Sequence, residues 1–140
     1  MTVDTSAVKD LAHPKLEALV EMMYLAATAD GEFSDVEHEA SSRSVESLTD
    51  GRLARNDVEA IIERVKGELE KDGGDARLSA VKARLVEPGA RRVALSLAIQ
   101  ITAADGFIRT SERELILETA EALEIDRDEA ADLVAKIAPP

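Results

Sequence analysis

Apolar residues recur along this chain at intervals of three and four, the spacing that lines one face of an α-helix. Leu16, Leu19, Val20, Met23 and Ala27 form the first stripe. They predict a helix over residues 14–30, opened by Pro14 and closed by Gly31. Ser34 with Glu37 is a capping box for a second helix, 35–49, whose apolar face is thin: Val36, Ala40, Val45 and Leu48. Asn56 with Glu59 opens a third, 57–71, with Val58, Ile61, Ile62, Val65 and Leu69 on one side and Gly73-Gly74 at its end. A fourth, 75–86, carries Leu78, Val81 and Leu85 and stops at Pro88-Gly89. A fifth, 89–105, is apolar almost all round from Val93 to Ile101, which places it centrally. Leu115, Ile116, Ala120 and Leu123 mark a sixth, 110–123. Asp126 with Glu129 opens a seventh, 127–138, with Leu133, Val134 and Ile137 inward and Pro139-Pro140 as its stop.

No run alternates with period two long enough to make a strand. The pattern therefore predicts an all-α fold of seven helices. It forms one domain over residues 1–140, with 1–12 loosely ordered.

The pattern also repeats. Residues 29–37 read Ala29-Asp30-Gly31-Glu32-Phe33-Ser34-Asp35-Val36-Glu37, and 104–112 read Ala104-Asp105-Gly106-Phe107-Ile108-Arg109-Thr110-Ser111-Glu112. Both fit Ala-Asp-Gly-x-Φ-x-x-x-Glu, with Φ a large apolar residue, at one offset: 105 − 30 and 112 − 37 both give 75. Asn56-Asp57-Val58-Glu59-Ala60 resembles Asp126-Arg127-Asp128-Glu129-Ala130 at 126 − 56 = 70. Helices one to three thus echo five to seven. The fourth is a connector, and an internal duplication is expected, with the matching faces buried on each other.

Composition narrows the chemistry. Aromatics are 2% of the chain, so the core is aliphatic. There is no cysteine, which removes disulfides, thiolate metal sites and thiol nucleophiles and suits a reducing, cytoplasmic setting. The N-terminus has no apolar signal segment, and no stretch is long enough to span a bilayer. The net charge of −12 disfavours nucleic acid and anionic membranes and favours cations or basic partner surfaces. Bases are sparse in residues 1–50 but gather at Arg77, Lys82, Arg84, Arg91 and Arg92. The part of this run on the fourth helix reads as a solvated face, or as a self-association patch for the acidic loops of another copy.

The candidate site is the pair of loops. Asp30 and Asp105 each follow a helix C-terminus, where an acid meets the negative end of the dipole at a cost of about 0.3–1 kcal/mol. Either the carboxylate tightens the turn by accepting the N–H two residues on, or a bound cation offsets both charge and dipole. Glu37 is explained by its capping box. Glu112 is less so, because Ser111 pairs at capping-box spacing with Glu114. The Asp-Gly-x-Φ-x-x-x-Glu spacing matches the second half of an EF-hand loop. The first half fails, with Ala26 and Thr28, or Ile101 and Ala103, where oxygen ligands belong. A degenerate EF-hand-like calcium protein is thus an alternative, as is a weaker site shared by both halves. Its hard oxygens suit Ca²⁺, Mg²⁺ or Mn²⁺.

The twin Ala-Asp-Gly loops, the all-helical layout and the acidic balance resemble the TerB family of tellurite-resistance domains. The resemblance covers the chain from the first helix to the seventh. It implies a helical domain with an internal duplication and acidic residues clustered at the two loops, linked to bacterial tellurite resistance and stress responses. Carried over by motif, the candidate metal-site or interaction residues are Asp30, Glu37, Asp105 and Glu112. Other stress-response proteins are the implied partners. Arg109 and Arg113 stand beside the second site, where ion pairing would remove the need for a metal.

Remaining residues have plainer readings. His38 is a solvated histidine, with Asp35 and Glu39 near enough to assist if it were a ligand. His13, before Pro14, is a loop or cap residue. Tyr24 packs in the core with its hydroxyl at a polar group. Phe33 and Ile108 anchor the loops, and an exposed Phe107 would mark a partner surface. Paired carboxylates can perform acid–base chemistry, so a metal-assisted hydrolase is the third class. No nucleophile constellation, phosphate loop or Cys/His cluster supports it. The expectation is a non-enzymatic module.

Overall fold

The computed structural model describes residues 11–28, 34–103 and 108–137. Among them are seven helices: α1 (His13–Ala27), α2 (Asp35–Leu48), α3 (Arg55–Asp72), α4 (Gly74–Arg84), α5 (Pro88–Thr102), α6 (Thr110–Ala122) and α7 (Arg127–Ile137). No strand occurs among the described residues. The all-α expectation holds, with several boundaries moved. α1 ends at Ala27 and α5 at Thr102, short of positions 30 and 105. Gly31 and Gly106, expected to end them, lie outside the described residues, as do residues 1–10. α3 opens at Ala54, whose N–H donates to Asp57 Oδ2 at 2.9 Å, and not at Asn56 with Glu59. Pro88 and Pro14 both stand in the first turn of their helices, where a missing N–H leaves nothing unpaired.

Side-chain contacts fix the direction of each helix. Arg52 Nη2 donates to the Leu11 carbonyl at 2.6 Å, and Arg84 Nη2 to that of Pro14 at 3.3 Å. Lys15 pairs with Glu87, and Arg92 with Glu129. Arg91 Nη1 reaches the Leu123 carbonyl at 3.1 Å. The start of α1, the α2–α3 junction, the α4–α5 junction and the α6–α7 junction therefore share one end of the molecule. Helices α1, α3, α5 and α7 leave that end; α2, α4 and α6 return to it. The last described residues of α1 and α5, and the first of α2 and α6, consequently sit at the opposite end.

The core is the α1–α5 pair, the two most extensively packed helices. Every residue from Ala18 to Ala27, and from Val93 to Ile99, is buried. The other helices cover this pair in matching fashion. α1 packs on α3 as α5 packs on α7; α2 packs on α3 as α6 packs on α7; and α1 meets α6 as α5 meets α2. The second helix of each half also ends alike. Gly51 N–H bonds the Glu46 carbonyl at 3.0 Å and Ile125 N–H that of Ala120 at 2.8 Å, each wrapping a residue at positive φ, Asp50 (52°) and Glu124 (63°).

Two expectations fail here. Val36, in the first turn of α2, is 54% exposed and contributes nothing to its core face, which is buried only from Ser41 to Val45. α4 is more than a connector, since it packs on both α1 and α3.

Candidate acidic site at the loop end

Both loop exits are built by the same local rule. Ser34 takes extended backbone (φ −73°, ψ 166°) before α2, and Arg109 takes nearly the same conformation (φ −71°, ψ 156°) before α6. Three residues on, a glutamate reaches back. Glu37 Oε1 accepts from Ser34 N–H at 3.0 Å, and Glu112 Oε1 accepts from Arg109 N–H at 2.9 Å. Glu37 N–H in turn donates to Ser34 Oγ at 3.2 Å, completing a reciprocal box; Arg109 has no acceptor to return the bond. Glu112 therefore caps its helix as Glu37 does. The pairing of Ser111 with Glu114 does not form, and Glu114 instead binds Arg127 Nη2 at 3.1 Å.

Of the four site residues, Glu37 and Glu112 are placed at the loop end, while Asp30 and Asp105 lie outside the described residues, with Phe33 and Phe107. Ile108 packs against the core, as expected of a loop anchor. Arg109 Nη1 stands 3.8 Å from Glu112 Oε1, so the second site carries its own counter-charge. His38 is half-buried at the start of α2, its carbonyl accepting from Ser41 Oγ at 2.8 Å. Glu39, its proposed helper, is paired with Arg55. Among the described residues, no group of three or more His, Asp or Glu side chains is disposed to hold a metal ion.

Burial and bonding remove Arg77 from the solvated face expected of the basic run on α4, and Arg91 on α5 is buried as well. Arg77 projects inward from α4 to the fully buried Glu21 of α1, with Nη2 at 2.7 Å and Nε at 3.0 Å from Oε2. It also reaches Glu68 at 2.8 Å and Asp72 at 3.5 Å. Burial works against its charge, but the Glu21 hydrogen bond and the surrounding acids outweigh it and hold the guanidinium above its ordinary pKa. Arg84 approaches Glu21 Oε1 from the other side at 3.5 Å. Arg91 is buried and donates to the carbonyls of Leu85 (2.6 Å), Lys82 (2.7 Å) and Leu123 (3.1 Å), joining the ends of α4 and α6. Glu21 had a sequence signal. It is an acid inside the apolar run Leu19-Val20-Glu21-Met22-Met23.

A family model described as tellurite resistance protein TerB matches residues 16–135, which span the helices from α1 to nearly the end of α7. The chain belongs to the TerB family. No curated protein and no solved structure matches it at a significant level. The TerB match includes both loops and the glutamates that follow them, and its all-helical fold is the one described above. No helix among the described residues of this TerB domain is long and apolar enough to cross a membrane.

Proposed function

We propose that this tellurite-resistance domain acts as a non-enzymatic module whose two Ala-Asp-Gly loops form one acidic site for a divalent cation. The supporting observation is that α1 and α5 lie side by side and run the same way, so the chain leaves both helices at one end of the molecule. Asp30 and Asp105 follow these exits by two residues in each case (30 − 28 and 105 − 103), and Glu37 and Glu112 open the returning helices. The equivalent construction of the halves supports an internal duplication, which would place the four carboxylates in related positions.

The donor set fits a hard cation such as Ca²⁺, Mg²⁺ or Mn²⁺, which takes carboxylate oxygens. Each glutamate commits Oε1 to its cap, and a carboxylate so held can offer its second oxygen to an ion without leaving its place. A second reading, an acidic surface for another protein of the stress response, is favoured by the Arg109–Glu112 pair, which already offsets part of the charge. Cytoplasmic, bacterial operation belongs to the same proposal.

Calorimetric titration of chelator-treated protein with Ca²⁺, Mg²⁺ and Mn²⁺ decides between the two. Saturable binding is expected, lost in Asp30→Asn/Asp105→Asn. It should be weakened in Glu37→Gln/Glu112→Gln, where glutamine keeps the cap but removes the charge. Absence of heat at millimolar cation would remove the metal reading and leave the partner surface.

A further inference from the structure

We infer that the corner formed by the end of α3 and the first two turns of α4 is a hinged flap, latched to α1 by Arg77. None of the residues from Glu70 to Ala80 is buried. Within this stretch apolar contact with the core is limited to the half-buried Leu78, and fully buried side chains begin at Val81 and Leu85. Between the two helices stands Gly73 at φ 87°, a conformation that strains any side chain, followed directly by Gly74. The far end of α4 is fixed by Arg91 on the Lys82 and Leu85 carbonyls and by Lys82 Nζ on that of Ala122 at 3.1 Å. The corner thus has a glycine pivot at one side, a firm anchor at the other, and between them the half-buried Leu78 and one polar hold. That hold is the Arg77 fork on Glu21, reinforced by Glu68 and Asp72.

The chemistry of the hold makes opening cheap. An apolar contact resists separation in proportion to the area it exposes. A buried ion pair regains hydration for both charges when it separates, and this offsets most of the lost attraction. Opening of the flap therefore bares a carboxylate set in the apolar face of α1 without leaving a buried charge unpaired. The flap lies at the end of the molecule where α1 and α5 terminate, so its movement changes the surroundings of that end.

Hydrogen exchange of the full chain, followed by peptide mass spectrometry in low and high salt, tests this. Amides of residues 72–80 are expected to exchange by a local opening faster than those of α1 and α5, and faster still in high salt. The double variant Glu21→Leu/Arg77→Leu replaces the pair by an apolar contact. It should raise protection of the flap roughly tenfold and abolish the salt effect. Exchange of 72–80 at the same rate as the core, insensitive to salt, would overturn the inference. That comparison uses the unaltered protein, so it decides the matter even if the double variant does not fold.

Discussion

Tyr24 shows how burial, with help from neighbouring charge, sets a residue's chemistry. It is 5% exposed on the central helix α1, and desolvation, followed by the charges of Glu63 and Glu70, pushes its phenol above the ordinary value of 10.0. Because the folded state favours the neutral form, this stabilisation is complete below pH 10 and is lost as pH rises through the folded value. The chain has one tyrosine and no tryptophan, so phenolate absorbance reports this group alone. Folded protein should titrate later than urea-unfolded protein, and Glu63→Gln/Glu70→Gln should recover part, not all, of the difference. Recovery of the whole difference would mean that charge, not burial, dominates. The core placement of Tyr24 was legible because it sits on an apolar helix; the two glutamates of α3 beside it were not, since they are 39 and 46 positions away (63 − 24 and 70 − 24).

At the scale of the element, the two helix starts after the loops form a natural comparison. Ser34 and Arg109 hold matching backbone, and each is followed by a glutamate at the third helical position, but only Ser34 returns a side-chain bond. Ser34→Ala should therefore lower stability by about 1 kcal/mol. Arg109→Ser should raise it by about 0.5–1 kcal/mol by completing the box, the loss of the exposed Arg109–Glu112 pair being minor. Denaturant midpoints of the two variants check both signs; a destabilised Arg109→Ser would show that the arginine has a positional role at the acidic site. Capping by Ser34 could be read from sequence because serine, glutamate and the following apolar stripe all agreed. The cap at Glu112 was hidden because Ser111 offered a plausible register that the helix does not use. The same thing happened at Asn56, where the helix starts two residues earlier, at Ala54. A capping motif states which residues can bond but not which of two adjacent registers the packed helix selects.

For the whole molecule, the decisive side chain is Arg91. It is 8% exposed and satisfies carbonyls at the ends of both α4 and α6. Arg91→Met keeps the apolar stem but leaves those carbonyls without a donor, and should cost about 3 kcal/mol. A thermal or denaturant unfolding curve measures this; a cost under about 1 kcal/mol would mean that water replaces the guanidinium. The lesion should loosen the α4–α5 and α6–α7 junctions together, because one residue serves both.

The sequence by itself determined the helices, their order and the central place of α5. Those follow from local spacing: three- and four-residue periodicity, prolines in first turns, and one helix apolar nearly all round. The proposed acidic set was drawn from equally local information, since the Ala-Asp-Gly loops and their glutamates are short repeated strings. Tertiary structure decided what the charged residues do. Arg77, Arg84 and Arg91 look alike along the chain, yet two turn toward a buried glutamate 56 and 63 positions away and one binds carbonyls of two helix ends. Side-chain charge is a property of a residue, whereas pairing is a property of distance. Distance across a bundle is set only when the helices have packed.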